Sequence, residues 1–302
     1  MQVNDKLLSR TRNLGRKGCG RLFTDRDSKI LHFLWRWKHA STATVHEAVG
    51  RPLTPYSTYK TLERLARYKF ITTAEAVEQN FKSWILTDRG FSAIRPSLGE
   101  LCEEGFGSEH LWHDRNVVAL QLGEWATHQL PIVTHFTEQE MRRRSVEQYP
   151  DWLPASKTHR PDGYTRIQSE KKDWLVAFEA EIWPKALATY EATLRFYQMM
   201  KQVDRVYWLI GDPLVKDQIL RARTCIRETS QNFHLFIDME EYIATGWNAA
   251  VTNECSVSVG TFRENMQALC GDTYGKHVGE KWGQSSVTVH YDTRKVLGKK
   301  RT

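Results

Sequence analysis

No apolar run in this 302-residue sequence comes near the roughly 20 residues that a membrane-spanning helix requires. Its first residues are polar and basic, with no apolar stretch of the kind that directs secretion, so a cytoplasmic location is expected. Cysteine is sparse. The five residues Cys19, Cys102, Cys225, Cys255 and Cys270 are scattered and none forms a CxxC pair, which argues against a zinc ribbon or a disulfide framework and fits a reducing compartment. A glycine-rich phosphate loop is missing as well: "RKGCGR" lacks the strand, helix and spacing of such a loop, so ATP use is not expected. Internal repeats are absent. What remains is ordinary, 40% hydrophobic and 26% charged residues on a chain long enough for two cores.

The charge is not evenly spread. Residues 1–97 carry 18 Lys/Arg against 8 Asp/Glu, and the remainder 25 against 28. Surface charge that serves only solubility needs no such segregation. A basic first third on a slightly acidic remainder points to a nucleic-acid-binding module joined to something else.

Residues 1–22 are basic with little to form a core, and are expected to be a flexible arm. Thr24 and Asp27 have capping-box spacing ahead of the periodic "DRDSKILHFLWRWKHA". A short helix, "TATVHEAVG", ends at Gly50. Thr54 then caps a third helix, with Pro55 in its first turn. "FITTAEA" and "SWILTDRG", separated by a polar tip around Glu78, Gln79 and Asn80, read as a hairpin. Three helices and a hairpin over 23–97 resemble winged helix-turn-helix domains. That resemblance implies that Tyr59, Leu62, Leu65 and Ile71 face the core. It implies that Ser57, Thr58, Lys60, Thr61 and Arg64 face the major groove of double-stranded DNA. Lys69 stands where such domains often have glycine at the helix exit. The alternative is a winged helix that contacts only proteins.

"RPSLGELCEEGFG" reads as a linker, which places the boundary near residue 98. Beyond it the pattern is α-β-β-β-α-β-α-β, a mixed sheet with helices on its faces. "IVTHFTEQEMRR", "PDGYTRIQ", "WLVAFEAEI", "RVYWLIGD" and "NFHLFIDM" are the strands; a helix is expected to begin at Pro184. Residues 245–302 are rich in Gly, Ser and Thr with weak periodicity, and an irregular tail is expected.

The strand "WLVAFEAEI" holds two carboxylates in an apolar run. Glu179 and Glu181, two apart, share one face. If "RPDGYTRIQ" pairs with this strand, Asp162 lies near Glu179. Two acidic ligands, a main-chain carbonyl and waters suit Mg²⁺ (or Mn²⁺), which polarises a phosphate and lowers the pKa of an attacking water. Lys185 is close enough in sequence to stabilise the charge that develops on the phosphate. The other reading is a strand with one solvated face, its carboxylates paired with Arg166 or Lys185. His110 and His113 stand one turn apart but lack a third ligand, and Glu109 or Glu124 lies on the preceding helix.

"PD" on one strand and "ExE" on the next, in this element order, resemble the PD-(D/E)XK nuclease superfamily. With the winged helix in front, "RPDG…FEAEIWPKALATY…FY…VYWLIGD" is similar to the replication-relaxation family, which includes plasmid mobilisation proteins of the MobC type. The resemblance implies that Asp162 and Glu179 are metal ligands and that Lys185, on the adjacent helix, substitutes for the lysine usually found where Glu181 stands. Two functions follow. One is a DNA endonuclease of plasmid or mobile-element processing, acting with mobilisation or replication proteins and without a membrane. The other is a non-catalytic DNA-binding accessory protein whose nuclease-like domain recruits partners. A covalent mechanism through Tyr190 or Tyr197 ranks below both.

Overall fold

The computed structural model describes residues 23–50, 53–76, 81–156, 158–228 and 233–272. The expected basic arm at 1–22, the hairpin tip at 77–80 and the last part of the expected tail lie outside them. The chain divides into two compact units between Asp114 and Arg115.

The first unit begins with helix α1 (Asp25–Trp37), capped by Thr24 and closed by a capping box with Asp27. Strand β1 (His39–Ala40) and helix α2 (Thr42–Val45) follow, and the chain then widens into a π-turn at His46–Gly50. Helix α3 (Pro55–Arg67) starts at the Thr54 cap with proline at its first position. Strands β2 (Ile71–Ala76) and β3 (Phe81–Leu86) form an antiparallel hairpin, with β1 added to the far side of β3. Helix α4 (Asp88–Ile94) follows. Ile30, Leu31, Leu34, Leu62, Leu65, Ile71 and Trp84 make its core.

The phase of α3 corrects the expected core face. Thr58, Leu62 and Leu65 are its buried residues, an i, i+4, i+7 stripe, whereas Tyr59 is exposed. The exit from α3 is left-handed at Lys69, with φ 60°, the conformation for which glycine would be the usual choice. The segment that reads as a linker belongs to this unit. Leu98 is in its core, with Leu101 and Phe106 packed against it. Trp35 Nε1 donates to the Gly105 carbonyl at 3.2 Å, and Lys38 pairs with Asp114 at 3.0 Å. The division therefore falls beyond the change in charge.

Helix α5 (Leu111–Gln121) leads into the second unit, built on a seven-stranded mixed sheet flanked by helices, in the order β10-β9-β8-β7-β6-β5-β4. Strands β4 (Val133–Thr137), β5 (Gly163–Gln168) and β6 (Asp173–Glu181) form an antiparallel meander. "IVTHFTEQEMRR" is thus only half strand: Thr137 caps helix α6 (Glu138–Arg143) through a capping box with Glu140. β6, β7 (Arg205–Ile210) and β8 (His234–Asp238) run parallel, linked by helices α7 (Leu187–Met199) and α8 (Pro213–Cys225).

These central strands are apolar on both sides, as parallel strands covered on two faces must be. Leu175, Ala177, Val206, Trp208 and Phe236 pack with Tyr190, Leu194 and Tyr197 of α7 and Val215 and Ile219 of α8. Phe178 and Tyr207, of opposite parity, meet Phe262 instead. Phe262 opens α10 (Phe262–Cys270), which follows helix α9 (Met239–Thr245) and the short strands β9 (Ala250–Thr252) and β10 (Ser258–Thr261). The expected irregular tail is therefore structured up to residue 272, and β8 is not the last strand. Three- and four-residue strands leave no readable periodicity.

Candidate active site

Period two along β6 decides which side its carboxylates take. Ala177, Glu179 and Glu181 share the face covered by α7, on which Ala177 packs. Both glutamates are buried, at 4% and 6% relative exposure. β5 runs antiparallel to β6, with Gly163 opposite Phe178. The residue before it, Asp162, donates its N–H to the Phe178 carbonyl at 3.0 Å, and its Oδ2 accepts from the Ala180 N–H at 2.7 Å. Glycine lets the Gln121 amide approach closely here: a Cβ at Gly163 would stand 2.1 Å from Gln121 Oε1. All three carboxylates thus gather where β6 ends and β5 begins, at the carboxyl end of the parallel strands.

Each is held differently. Glu179 Oε1 accepts from the buried Tyr197 hydroxyl at 2.5 Å and lies 2.6 Å from His159 Nε2. Glu181 Oε1 accepts from Lys185 Nζ at 2.7 Å. Burial is the main cause that raises the Glu181 carboxyl, to about 7; Lys185 opposes this, while Glu179 and Asp162 add to it. For Lys185, burial would lower the ammonium, but Glu181, with Glu179 and Asp162 behind it, raises it on balance. His159 behaves alike: burial works against the imidazolium and Glu179 outweighs it, so the group is raised. Burial, reinforced by Glu179, holds the Tyr197 phenol well above its ordinary range, in keeping with its role as hydrogen-bond donor to Glu179.

The structure therefore brings Asp162, Glu179, Glu181 and Lys185 together. Lys185 reaches the cluster from a loop rather than from the expected first helical turn, because α7 begins only at Leu187. Pro184 also lies ahead of the helix, and Tyr190 accepts a bond from the Lys185 N–H at 3.1 Å. Arg166 takes no part; it pairs with Asp173 at the start of β6. Glu124 pairs with Arg263, and His113 faces Asp114 at 3.3 Å. His159 was not expected, although it stands just ahead of Asp162 in "HRPD". Its one sequence signal is that proximity. Among the described residues no three His, Cys, Asp or Glu side chains form a metal-ligand cluster.

On α3, the five residues expected to face DNA divide. Thr58 is fully buried, bonded to Arg26 and His46, each at 3.0 Å, and Arg64 is committed to the buried Asp27 at 2.5 Å. Both hold the fold. Lys60 is exposed, and Ser57 and Thr61 are partly so. Lys60 lies over the rings of Tyr56 and Tyr59, at 5.5 and 5.8 Å, and pairs with Glu63 at 2.8 Å. Tyr56, 68% exposed, belongs to the same exposed group, and the sequence reading did not single it out.

No family model matches the chain, and no curated protein matches it. Among solved structures, restriction endonuclease FokI is weakly similar. A structure of it bound to DNA matches with a TM-score of 0.25 and 11% identity, over 72% of this chain and 43% of that one. A further FokI structure gives 0.23 and 11%, over 72% and 42%. This chain thus spans less than half the length of FokI. Among the described residues no helix is long and apolar enough to cross a membrane.

Proposed function

We propose that the chain is a DNA-processing nuclease. The observation that carries the reading is the gathering of Asp162, Glu179, Glu181 and Lys185 at one end of the sheet, with Lys185 Nζ on Glu181. Negative charges gathered in a buried or half-buried site repel one another, and such a set is stabilised by a cation. The donor chemistry fits Mg²⁺ or Mn²⁺, since hard oxygens are offered and Mg²⁺ needs only one or two carboxylates beside its waters. The Tyr164 hydroxyl, buried and without a hydrogen-bond partner among the described residues, lies in the field of Glu179 and offers a further oxygen for such a hydration shell.

Asp162 and Glu179 would hold the ion, which supplies polarisation of the phosphate and an easier deprotonation of water. The chain's own residues do the rest. His159 and Tyr197 fix Glu179 through Oε1. Glu181, buried beside Lys185, would take the proton of the attacking water at a carboxylate oxygen. Lys185, half exposed, offers its ammonium to the charge that develops on the phosphate.

The helix order and antiparallel hairpin of the first unit support a winged-helix reading. Double-stranded DNA would then meet the exposed face of α3 at Ser57, Lys60 and Thr61, joined by Tyr56 and Tyr59. The setting, plasmid or mobile-element processing alongside mobilisation or replication proteins, rests on the sequence resemblance. A second reading, a non-catalytic DNA-binding accessory protein, is favoured by the protein partner each carboxylate already has. Nicking of supercoiled plasmid with and without Mg²⁺ separates the two: the first requires metal-dependent nicks that Glu179→Gln abolishes, the second none.

A further inference from the structure

The loop between β6 and α7 carries more than Lys185. Trp183, two residues from it, is 73% exposed, the largest apolar ring turned outward among the described residues. An indole left in water costs stability, and one on a stiff backbone costs little further entropy when it binds. This backbone is stiff on both sides of the ring. Before it, the Gly211 N–H donates to the Glu181 carbonyl at 2.9 Å, and Ile182 packs so closely on Gly211 that a Cβ there would stand 2.7 Å from the Ile182 carbonyl oxygen. After it, Pro184 restricts the Trp183 backbone, and the Lys185 N–H is bonded to Tyr190. The ring is therefore uncovered on a held stretch of backbone, two residues from both Glu181 and Lys185.

We infer that Trp183 is a stacking platform for an unpaired base of the nucleic-acid strand whose phosphate lies at the Asp162–Glu179–Glu181–Lys185 cluster. The inference rests on the nuclease reading, because that cluster supplies the reason for a strand to pass there. It adds the substrate class: a strand with a base out of the duplex, at a nick, a gap or a single-stranded end. A π-face accepts any base, so Trp183 positions the strand without reading its sequence.

The test measures binding, by anisotropy of labelled oligonucleotides, for the full chain without metal, so that it does not depend on cleavage. Trp183→Ala should weaken binding of single-stranded oligothymidine about tenfold and leave blunt duplex unchanged, while Trp183→Phe keeps most of the affinity. An abasic position moved through the single strand should cost the wild type affinity at one place, and Trp183→Ala should show no such place. Equal losses on single strand and duplex, no position-dependent abasic penalty, or a wild type that does not bind single strands would each overturn the inference. Cleavage, measured separately with Mg²⁺, reports on the nuclease reading. Abasic-sensitive binding without any cleavage would end that reading and leave the stacking site standing.

Discussion

Lys185 Nζ stands 2.7 Å from Glu181 Oε1, and it reaches that oxygen from the loop ahead of α7. In the proposed reaction these are the cation and the acid that would work close to a phosphate, and here they are tied to each other. Burial raises the Glu181 carboxyl to about 7, so the pair is a measurable one.

The first prediction concerns pH. Glu181 is raised in the folded chain, from 4.5 to about 7. The stability it contributes is therefore fully present below its unfolded pKa and is lost as pH rises through the folded one. His159, also raised, acts in the same direction from its ordinary 6.5 upward. The wild type should lose stability between pH 4.5 and 7. Glu181→Gln should flatten that slope by on the order of 2–3 kcal/mol. Thermal melts across this range check it; parallel curves for the two proteins would show that Glu181 is not displaced.

The second concerns the proposed reaction. Asp162→Asn and Glu179→Gln should each reduce Mg²⁺-dependent plasmid nicking by roughly 100-fold or more, with duplex binding unchanged in a gel shift. Tyr197→Phe, which removes one hydrogen bond to Glu179 and leaves the ring in place, should cost less, about tenfold. Equal activity of all three variants and the wild type would remove the site from the chemistry.

A third prediction separates contact from scaffold on α3. Lys60→Ala should weaken DNA binding and lower the slope of affinity against salt by about one with an unchanged melting temperature. Thr58→Val should do the reverse, because the hydroxyl it removes is buried and bonded to Arg26 and His46; a loss of about 1–2 kcal/mol is expected. Arg64→Ala, which strands the buried Asp27, should destabilise by about 2–3 kcal/mol. Titrations at several salt concentrations, with melts alongside, distinguish the two groups.

The fourth is conformational. Lys69 holds a left-handed φ of 60°, and its carbonyl accepts from Thr87 Oγ1 at 2.6 Å, so the turn is held in place. Lys69→Gly should raise stability by up to about 1 kcal/mol, seen as a higher midpoint in urea. A lower midpoint would mean that the added freedom of the unfolded chain outweighs the relief.

What the sequence by itself determined is what neighbouring residues decide among themselves. Thr24 with Asp27, and Thr54 with Pro55, set the starts of α1 and α3 because a cap needs only residues within one turn. Glu179 and Glu181 had to share a face because alternation is a property of any strand, and the hairpin with "PDGYTRIQ" brought Asp162 alongside. The tertiary structure decided everything that depends on a partner distant in the chain. Leu62 and Leu65 suit a stripe ending at either Thr58 or Tyr59, and only Arg26 and His46, bonding to the Thr58 hydroxyl, select the first. Composition makes residues 95–107 a linker, yet Trp35 and the first core hold them. Phe262 joins the sheet through contacts with Phe178 and Tyr207, which no short-range pattern could announce. His159 and Tyr197 meet on one oxygen of Glu179 because a loop and a helix both pack over that face of β6. A buried carboxylate states in the sequence that it needs a partner; which partner it has is settled only by packing.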